Sequence, residues 1–334
     1  MSRRGLVVLA VALLALGGCG LLGAWYAGAL QPVATSGEPR IVHIPPGSGA
    51  ARITQILASE GLIANGRAFG LMLALSGLGG KLQAGHYELS PTMSARAIAE
   101  KIASGDVATR RITIPEGLTL QQIAERVAEA GLAEREAFLA AAVPATVADG
   151  AEMPLPEGTL EGYLFPETYE FTYDDGAAAI VTRMVHELYE RFVAPHREEI
   201  ARRGLSLHQI ITLASLVERE AQVERERALI AGVIQNRLDR GMRLQIDATV
   251  QYALGEHRPR LLYRDLQVDS PYNTYRHAGL PPGPIAAPGL PSLLAALRPA
   301  PTDALFYVAR SDGTHVFTRT YEEHQRAIRA IRGQ

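Results

Sequence analysis

Two stretches of the chain repeat each other at a fixed spacing. "IPPGSGAARITQILASEGL" begins at Ile44 and "IPEGLTLQQIAERVAEAGL" at Ile114, and Ile44, Pro45, Gly47, Ile53, Ala58, Gly61 and Leu62 recur as Ile114, Pro115, Gly117, Ile123, Ala128, Gly131 and Leu132, each 70 residues on. Self-similarity at one period means that each copy folds as the same supersecondary unit. Each copy enters through a β-rich segment (41–44 and 112–114), turns at Pro-Gly, and continues as a helix stopped by Gly. "AGHYELSP" around Tyr87 and "PETYEFTY" around Tyr169 read as the strands that return, and each is followed by a helical pattern (Ile98 and Ile102; Ile180 and Met184). The fold class is therefore α+β, built in part from small βααβ modules.

Such a module has two readings. One is a duplicated spacer. The other is a LysM-like unit, a type of βααβ fold that holds glycan chains in a shallow groove. Ahead of the repeat, Arg3 and Arg4 precede 26 residues, Gly5 to Leu30, that carry no charge. As a helix this run would span roughly 39 Å, more than a hydrocarbon core of about 30 Å. Trp25 and Tyr26 fall where amphipathic rings prefer the interface. The expectation is an uncleaved transmembrane helix over 5–30, residues 1–4 in the cytoplasm, and the remainder on the periplasmic or extracytoplasmic side of the cell (inner) membrane. "LGGC" at 16–19 also resembles a lipoprotein processing box with Cys19 as acceptor, but the apolar run continues for 11 residues beyond it. Cys19 is the single cysteine, so no intramolecular disulfide is available. A net charge of −2 with scattered basic residues argues against nucleic acid as a partner.

From Ser206 the pattern changes. Ser206 with Gln209 has capping-box spacing, which predicts a helix from about Leu207. On that helix Glu218 shares a face with Ile211 and Ala214. A carboxylate on an apolar face must be paired, protonated or used, and apolar surroundings favour the protonated form that a general acid needs. The plain alternative is an ion pair with Arg225 or Arg237. A second helix should end near Arg240-Gly241. An extended stretch is expected next, with Gln245, Asp247 and Thr249 alternating on one side, placed to bind sugar hydroxyls. Four prolines and three glycines between Gly279 and Gly289 then force a long stiff loop. Tyr252, Asn273 and Tyr275 beside it suit sugars, which present apolar ring faces and polar edges. The nine histidines form no metal-binding spacing and no G-x-S-x-G occurs, so neither metal nor cofactor is expected.

"LASLVEREA", "NRLDRGMRLQIDATVQY", "SPYNTY", "GLPPGPIAAPG" and "FYVARSDGTHVF", in this order, resemble the YceG-like family of MltG-type endolytic murein transglycosylases. The resemblance maps the catalytic glutamate onto Glu218, and the family's Q-x-D-x-T-V-x-Y segment onto Gln245, Asp247, Thr249, Val250 and Tyr252. Ala248 and Ile246 depart from that pattern. Glu220, Gln245, Asp247, Thr249, Tyr252, Asn273, Tyr275 and His315 make up the expected substrate contacts. The implied domains are a linker at 31–40, a LysM-like region at 41–195, and a mostly helical α+β catalytic domain at 196–334.

What the resemblance implies is cleavage of the MurNAc–GlcNAc bond within nascent peptidoglycan strands, close to the machinery of peptidoglycan synthesis. One carboxyl group suffices if the substrate supplies the rest, as in the substrate-assisted exceptions to the two-carboxylate rule. It protonates the leaving oxygen, and the sugar's own 6-hydroxyl attacks to leave a 1,6-anhydro end. The competing reading is a non-catalytic, membrane-tethered peptidoglycan-binding scaffold.

Overall fold

The computed structural model describes residues 3–256, 258 and 260–333. It divides into two compact units. The first comprises the chain up to Arg110 together with Thr172–Asp174, and the second comprises Arg111–Phe171 and Asp175–Gln334. The boundary thus falls inside the segment 41–195, and the second repeat copy lies in the same unit as Glu218.

In the first unit, helix α1 (Arg3–Ala29) is followed by strand β1 (Arg40–Ile44), α2 (Ala50–Ser59), α3 (Gly66–Ser76), β2 (Gly85–Leu89) and α4 (Ala95–Ser104). β1 and β2 pair antiparallel, Val42 opposite Tyr87. Alternation puts Val42, Ile44, Tyr87 and Leu89 on one face, where they bury against Ile53, Leu57 and Phe69 from the helices. This is the βααβ unit expected of the first copy. Among the described residues no helix is long and apolar enough to cross a membrane. Helix α1 accounts for nearly all of the apolar run, but its side chains are described only at Leu13 and from Leu16 onward. Met1 and Ser2, placed in the cytoplasmic segment, lie outside the described residues.

The second unit starts from the second copy: β3 (Thr109–Thr113), α5 (Leu120–Glu129), α6 (Arg135–Ala141), α7 (Pro144–Val147) and β4 (Thr168–Thr172), with β3 paired to β4. The two copies match in backbone at their glycine turns, although the second has a further short helix before its returning strand. Gly47 and Gly117 have φ of 77° and 78°, and Gly61 and Gly131 both have 63°, a left-handed conformation in which a side chain is strained. The copies differ in the core they serve. Ile114, Ile123 and Val127 join the same apolar cluster as Ile210, Leu213 and Val217.

The rest is mostly helical: α8 (Ala177–Leu188), α9 (Arg197–Arg202), α10 (Leu207–Glu220), α11 (Arg227–Asp239), α12 (Asp247–Leu254), α13 (Leu290–Leu297), the hairpin β5 (Phe306–Ala309) and β6 (His315–Thr318), and α14 (Tyr321–Arg332). α10 opens with the expected reciprocal box, Ser206 Oγ accepting from Gln209 N (3.2 Å) and Gln209 Oε1 accepting from Ser206 N (2.9 Å). Its burial exceeds a single face, because every residue from Ile210 to Val217 is buried. The hydroxyls in that run are satisfied locally: Thr212 Oγ1 donates to His208 O and Ser215 Oγ to Thr212 O, both at 2.7 Å. α11 ends at Asp239, with Gly241 at φ 64°, close to the expected stop.

The extended stretch expected at 245–249 is instead a helix from Asp247. Ile246 in extended conformation precedes it and Gly255 at φ 72° closes it. β-branched Thr249 and Val250 favour a strand, but an acidic first residue and a terminal glycine are helix signals, and they prevail. From Val268 to Gly289 the chain has neither helix nor strand, yet Gly283–Gly289 is buried. Buried backbone needs partners, and neighbouring segments provide them. Gly117 N donates to Ala287 O and Ala287 N to Leu118 O (both 2.8 Å), while Ile285 N donates to Ser215 Oγ (3.1 Å). Gly162 permits the close approach, since a Cβ there would lie 2.3 Å from Pro284 Cβ.

Candidate active site

The end of α10 carries two carboxylates with different surroundings. Glu218 is almost wholly buried, its side chain 6% exposed. Its Oε1 accepts from Arg227 Nη1 and its Oε2 from Gly289 N, both at 3.0 Å. Arg227 Nη1 also donates to Ser292 Oγ at 2.6 Å. The ion-pair alternative is thus realised, with Arg227 in place of Arg225 or Arg237. Glu116, from the second repeat copy, lies against the same glycine: a Cβ on Gly289 would sit 1.8 Å from its Oε1. Desolvation, then the charge of Glu218, hold the Glu116 carboxyl above its ordinary range. This face ties α10, α11 and the start of α13 together, and both oxygens of Glu218 are taken by donors.

Two residues on, Glu220 points away from that cluster. It is half-buried, and its Oε2 accepts from the Tyr307 hydroxyl of β5 at 2.8 Å. Burial pushes its carboxyl above the usual range; the Tyr307 bond, the next largest effect, pulls it back, the charge of Asp247 pushes it up again, and His315 and Arg219 pull it down by less. Asp247, exposed at the start of α12, accepts from Tyr275 Oη at 2.5 Å. Glu220, Asp247, Tyr275 and Tyr307 therefore share one electrostatic neighbourhood. A carboxyl group favoured in its acid form, with hydroxyl and carboxylate groups around it, has the makings of a proton donor and acceptor. The expected catalyst, Glu218, has both oxygens held by fixed donors, Arg227 Nη1 and Gly289 N.

The other expected contacts divide. Gln245 is exposed and the only non-glycine with positive φ (55°) among the described residues. Thr249 and Asn273 are fully buried. Thr249 Oγ1 donates to Ile246 O (2.7 Å) and lies 2.9 Å from Thr274 Oγ1. Asn273 Nδ2 donates to Leu266 O and Val268 O, and its Oδ1 accepts from Tyr275 N. These two side chains shape the loop that presents Tyr275, with their polar atoms committed to it. His315 is buried as well, its Nδ1 2.8 Å from Glu226 Oε2 and its backbone N donating to the same carboxylate. Its place is behind the site. Tyr252 packs on Tyr272, ring centroids 4.8 Å apart, and donates to Glu161 Oε2 at 3.2 Å. Tyr307 and Glu161 are not singled out by the sequence; "FYVARSDGTHVF" enters only through the family resemblance, and nothing in it distinguishes the tyrosine from a packing residue.

Glu161 is buried and caps α5, accepting from Leu120 N at 2.9 Å; desolvation raises its carboxyl to about 7. It lines a cavity of about 520 Å³ with Gln121, Glu125, Arg219, Gln251 and Tyr252. Glu218 and Glu220 are not among the walls, but Arg219, between them in sequence, is. In the other unit, His43, His86 and Asp174 bring donor atoms within 4.8 Å of one another. The two imidazoles stack at 4.3 Å and 13°, so their in-plane lone pairs run side by side and do not converge on one ion.

These features define a class, an α+β protein whose long buried helix ends in a carboxyl–hydroxyl cluster behind a proline-glycine loop. The chain belongs to the YceG-like family, whose model it matches over residues 42–330. A relative from Bacillus subtilis (strain 168), an endolytic murein transglycosylase, is 37% identical over 312 residues, covering 89% of this chain and 86% of its own. Another of that name from Streptococcus pneumoniae serotype 2 is 31% identical, over 86% of this chain and 57% of the longer relative. The crystal structure of a yceG-like protein from Listeria monocytogenes, 38% identical, superposes with a TM-score of 0.59 and covers 87% of this chain and 100% of that one.

Proposed function

We propose that the chain is an endolytic peptidoglycan lytic transglycosylase, a lyase that cleaves the MurNAc–GlcNAc bond and leaves a 1,6-anhydro-MurNAc end, with Glu220 as its acid–base group. The observation that carries the assignment is the contrast at the end of α10. Glu220 is kept towards its acid form beside Asp247, Tyr275 and Tyr307, whereas Arg227 and Gly289 occupy both oxygens of Glu218. The proton of Glu220 passes to the glycosidic oxygen as the bond to the anomeric carbon breaks. The acetamido oxygen of the substrate stabilises the cationic centre. The 6-hydroxyl then bonds to that carbon and returns its proton to Glu220, so that no water is consumed. Asp247 and Tyr275, joined to each other, hold sugar hydroxyls from the side.

The test compares two variants. Anhydro-muropeptide release from murein, followed by mass spectrometry, should be abolished in Glu220→Gln and largely retained by folded Glu218→Gln. The reverse result would return the acid–base role to Glu218, the residue suggested by the sequence motif.

Two further parts of the reading concern the chain ahead of the second repeat copy. Residues 5–30 serve as a single-pass membrane anchor with the catalytic part outside the cytoplasm, a reading supported by the uncharged run in the sequence. A diacylglyceryl group on Cys19 as the mature N-terminus would overturn this. The first βααβ copy serves as a LysM-like glycan holder, supported by its topology, and its deletion should weaken binding to intact sacculi.

A further inference from the structure

Tyr307 lies on β5 opposite Phe317 of β6, and its ring is held from behind. His315 meets it edge-on, centroids 5.5 Å apart at 88°, and His315 is itself fixed by Glu226 through its ring and backbone nitrogens. The Tyr307 hydroxyl, at the front of this stack, donates to Glu220 Oε2 at 2.8 Å. Among the described residues, no donor takes the other oxygen of Glu220. We propose that Tyr307 is a positioning residue for the acid–base carboxyl, fixing one oxygen of Glu220 so that the other is the one turned to the glycosidic bond. The inference rests on the assignment of Glu220. It also gives His315 and Glu226 a role: they hold the phenol in place, away from the substrate.

The bond has a second effect. A phenol donates more strongly to a carboxylate than to a carboxylic acid, so it favours ionised Glu220 and offsets part of the effect of burial. The other groups bearing on Glu220 are Arg219 on its own helix, Asp247 at the start of α12, His315 on β6, Arg237 on α11 and Tyr275 on the loop. None of them is removed in Tyr307→Phe. Loss of the donor should therefore keep Glu220 protonated to higher pH.

The experiment uses the full chain, with kcat, KM and the pH profile of anhydro-muropeptide release measured for Tyr307→Phe. The expected result is a fall in kcat of about tenfold, the size of one hydrogen bond, with KM unchanged and the alkaline limb of the profile moved to higher pH. Because a folding defect would also lower kcat, kcat is referred to the folded fraction, read from the melting curve of the variant. An unmoved limb with unchanged kcat overturns the proposal. So does an effect confined to KM, which would place the phenol against the substrate. If Glu220→Gln alone retains product release, the assignment of Glu220 fails, and that outcome is separate from either result for Tyr307.

Discussion

Glu218 and Glu220 differ by two positions on one helix and so project roughly 200° apart around its axis. On one side a guanidinium and a backbone N–H hold Glu218 among α11 and α13. On the other, Glu220 meets a single phenol and a neighbouring carboxylate that disfavours its charge. The same residue type thus has both oxygens held on one face and a single donor on the other. A carboxylate with both oxygens held by fixed donors contributes rigidity; one oxygen left open, with the acid form favoured, gives chemistry.

The contrast can be broken most directly by rate. Glu220→Gln should lose about 10²–10⁴-fold in turnover or more with little change in melting temperature, and a folded variant with near-normal release would end the comparison. Glu218→Gln should show the opposite profile: the neutral amide still accepts from Gly289 but leaves the Arg227 charge poorly paired. A stability loss of about 2–3 kcal/mol is expected, read by denaturant unfolding, with turnover of the folded fraction near normal.

A third carboxylate sharpens the distinction, because it is buried and favoured as an acid although Leu120 N and the Tyr252 hydroxyl both donate to it. Glu161 titrates at about 7 in the fold against an ordinary 4.5. Between those values the unfolded chain has released its proton while the folded chain retains it, so stability falls as pH rises through the window. The loss above pH 7 is on the order of 3 kcal/mol. Unfolding curves from pH 4 to 8 should show this decline in the parent and a flatter profile in Glu161→Gln. A smaller effect concerns the loop that brings Gly289 to Glu218: Gly162→Ala places a methyl in contact with Pro284 at positive φ and should cost about 1–3 kcal/mol. Smallest of all, Ser206→Ala removes the cap at the start of α10 and should cost about 1 kcal/mol by thermal melting, with no change in pH profile.

Much of the fold was legible because it depends on local signals. The repeat, its glycine turns, both returning strands and the Ser206–Gln209 box all follow from short-range chemistry and appear where expected. At 247–254 the alternation of Gln245, Asp247 and Thr249 misled, and the chain is helical there. The site was legible as a neighbourhood, since Glu218, Glu220, Asp247 and Tyr275 all fall in or beside it, but the division of labour was not. That Glu220 finds Tyr307 and that His315 turns inward onto Glu226 depend on contacts across 87 and 89 residues of chain, and Tyr275 reaches Asp247 across 28, whereas Glu218 finds Arg227 only 9 residues on. Helical periodicity identifies a face without its occupant.

The two bonds between Gly117–Leu118 and Ala287 have a consequence for descent. After duplication, one copy kept its own core, while the other gave its turn and helix to a neighbour and became part of that neighbour's interior. The backbone of the second copy completes the loop around Ala287. Substitutions in the turn around Glu116 and Gly117 should therefore be inherited together with changes near Ala287 and Gly289, whereas those around Gly47 should vary independently of both.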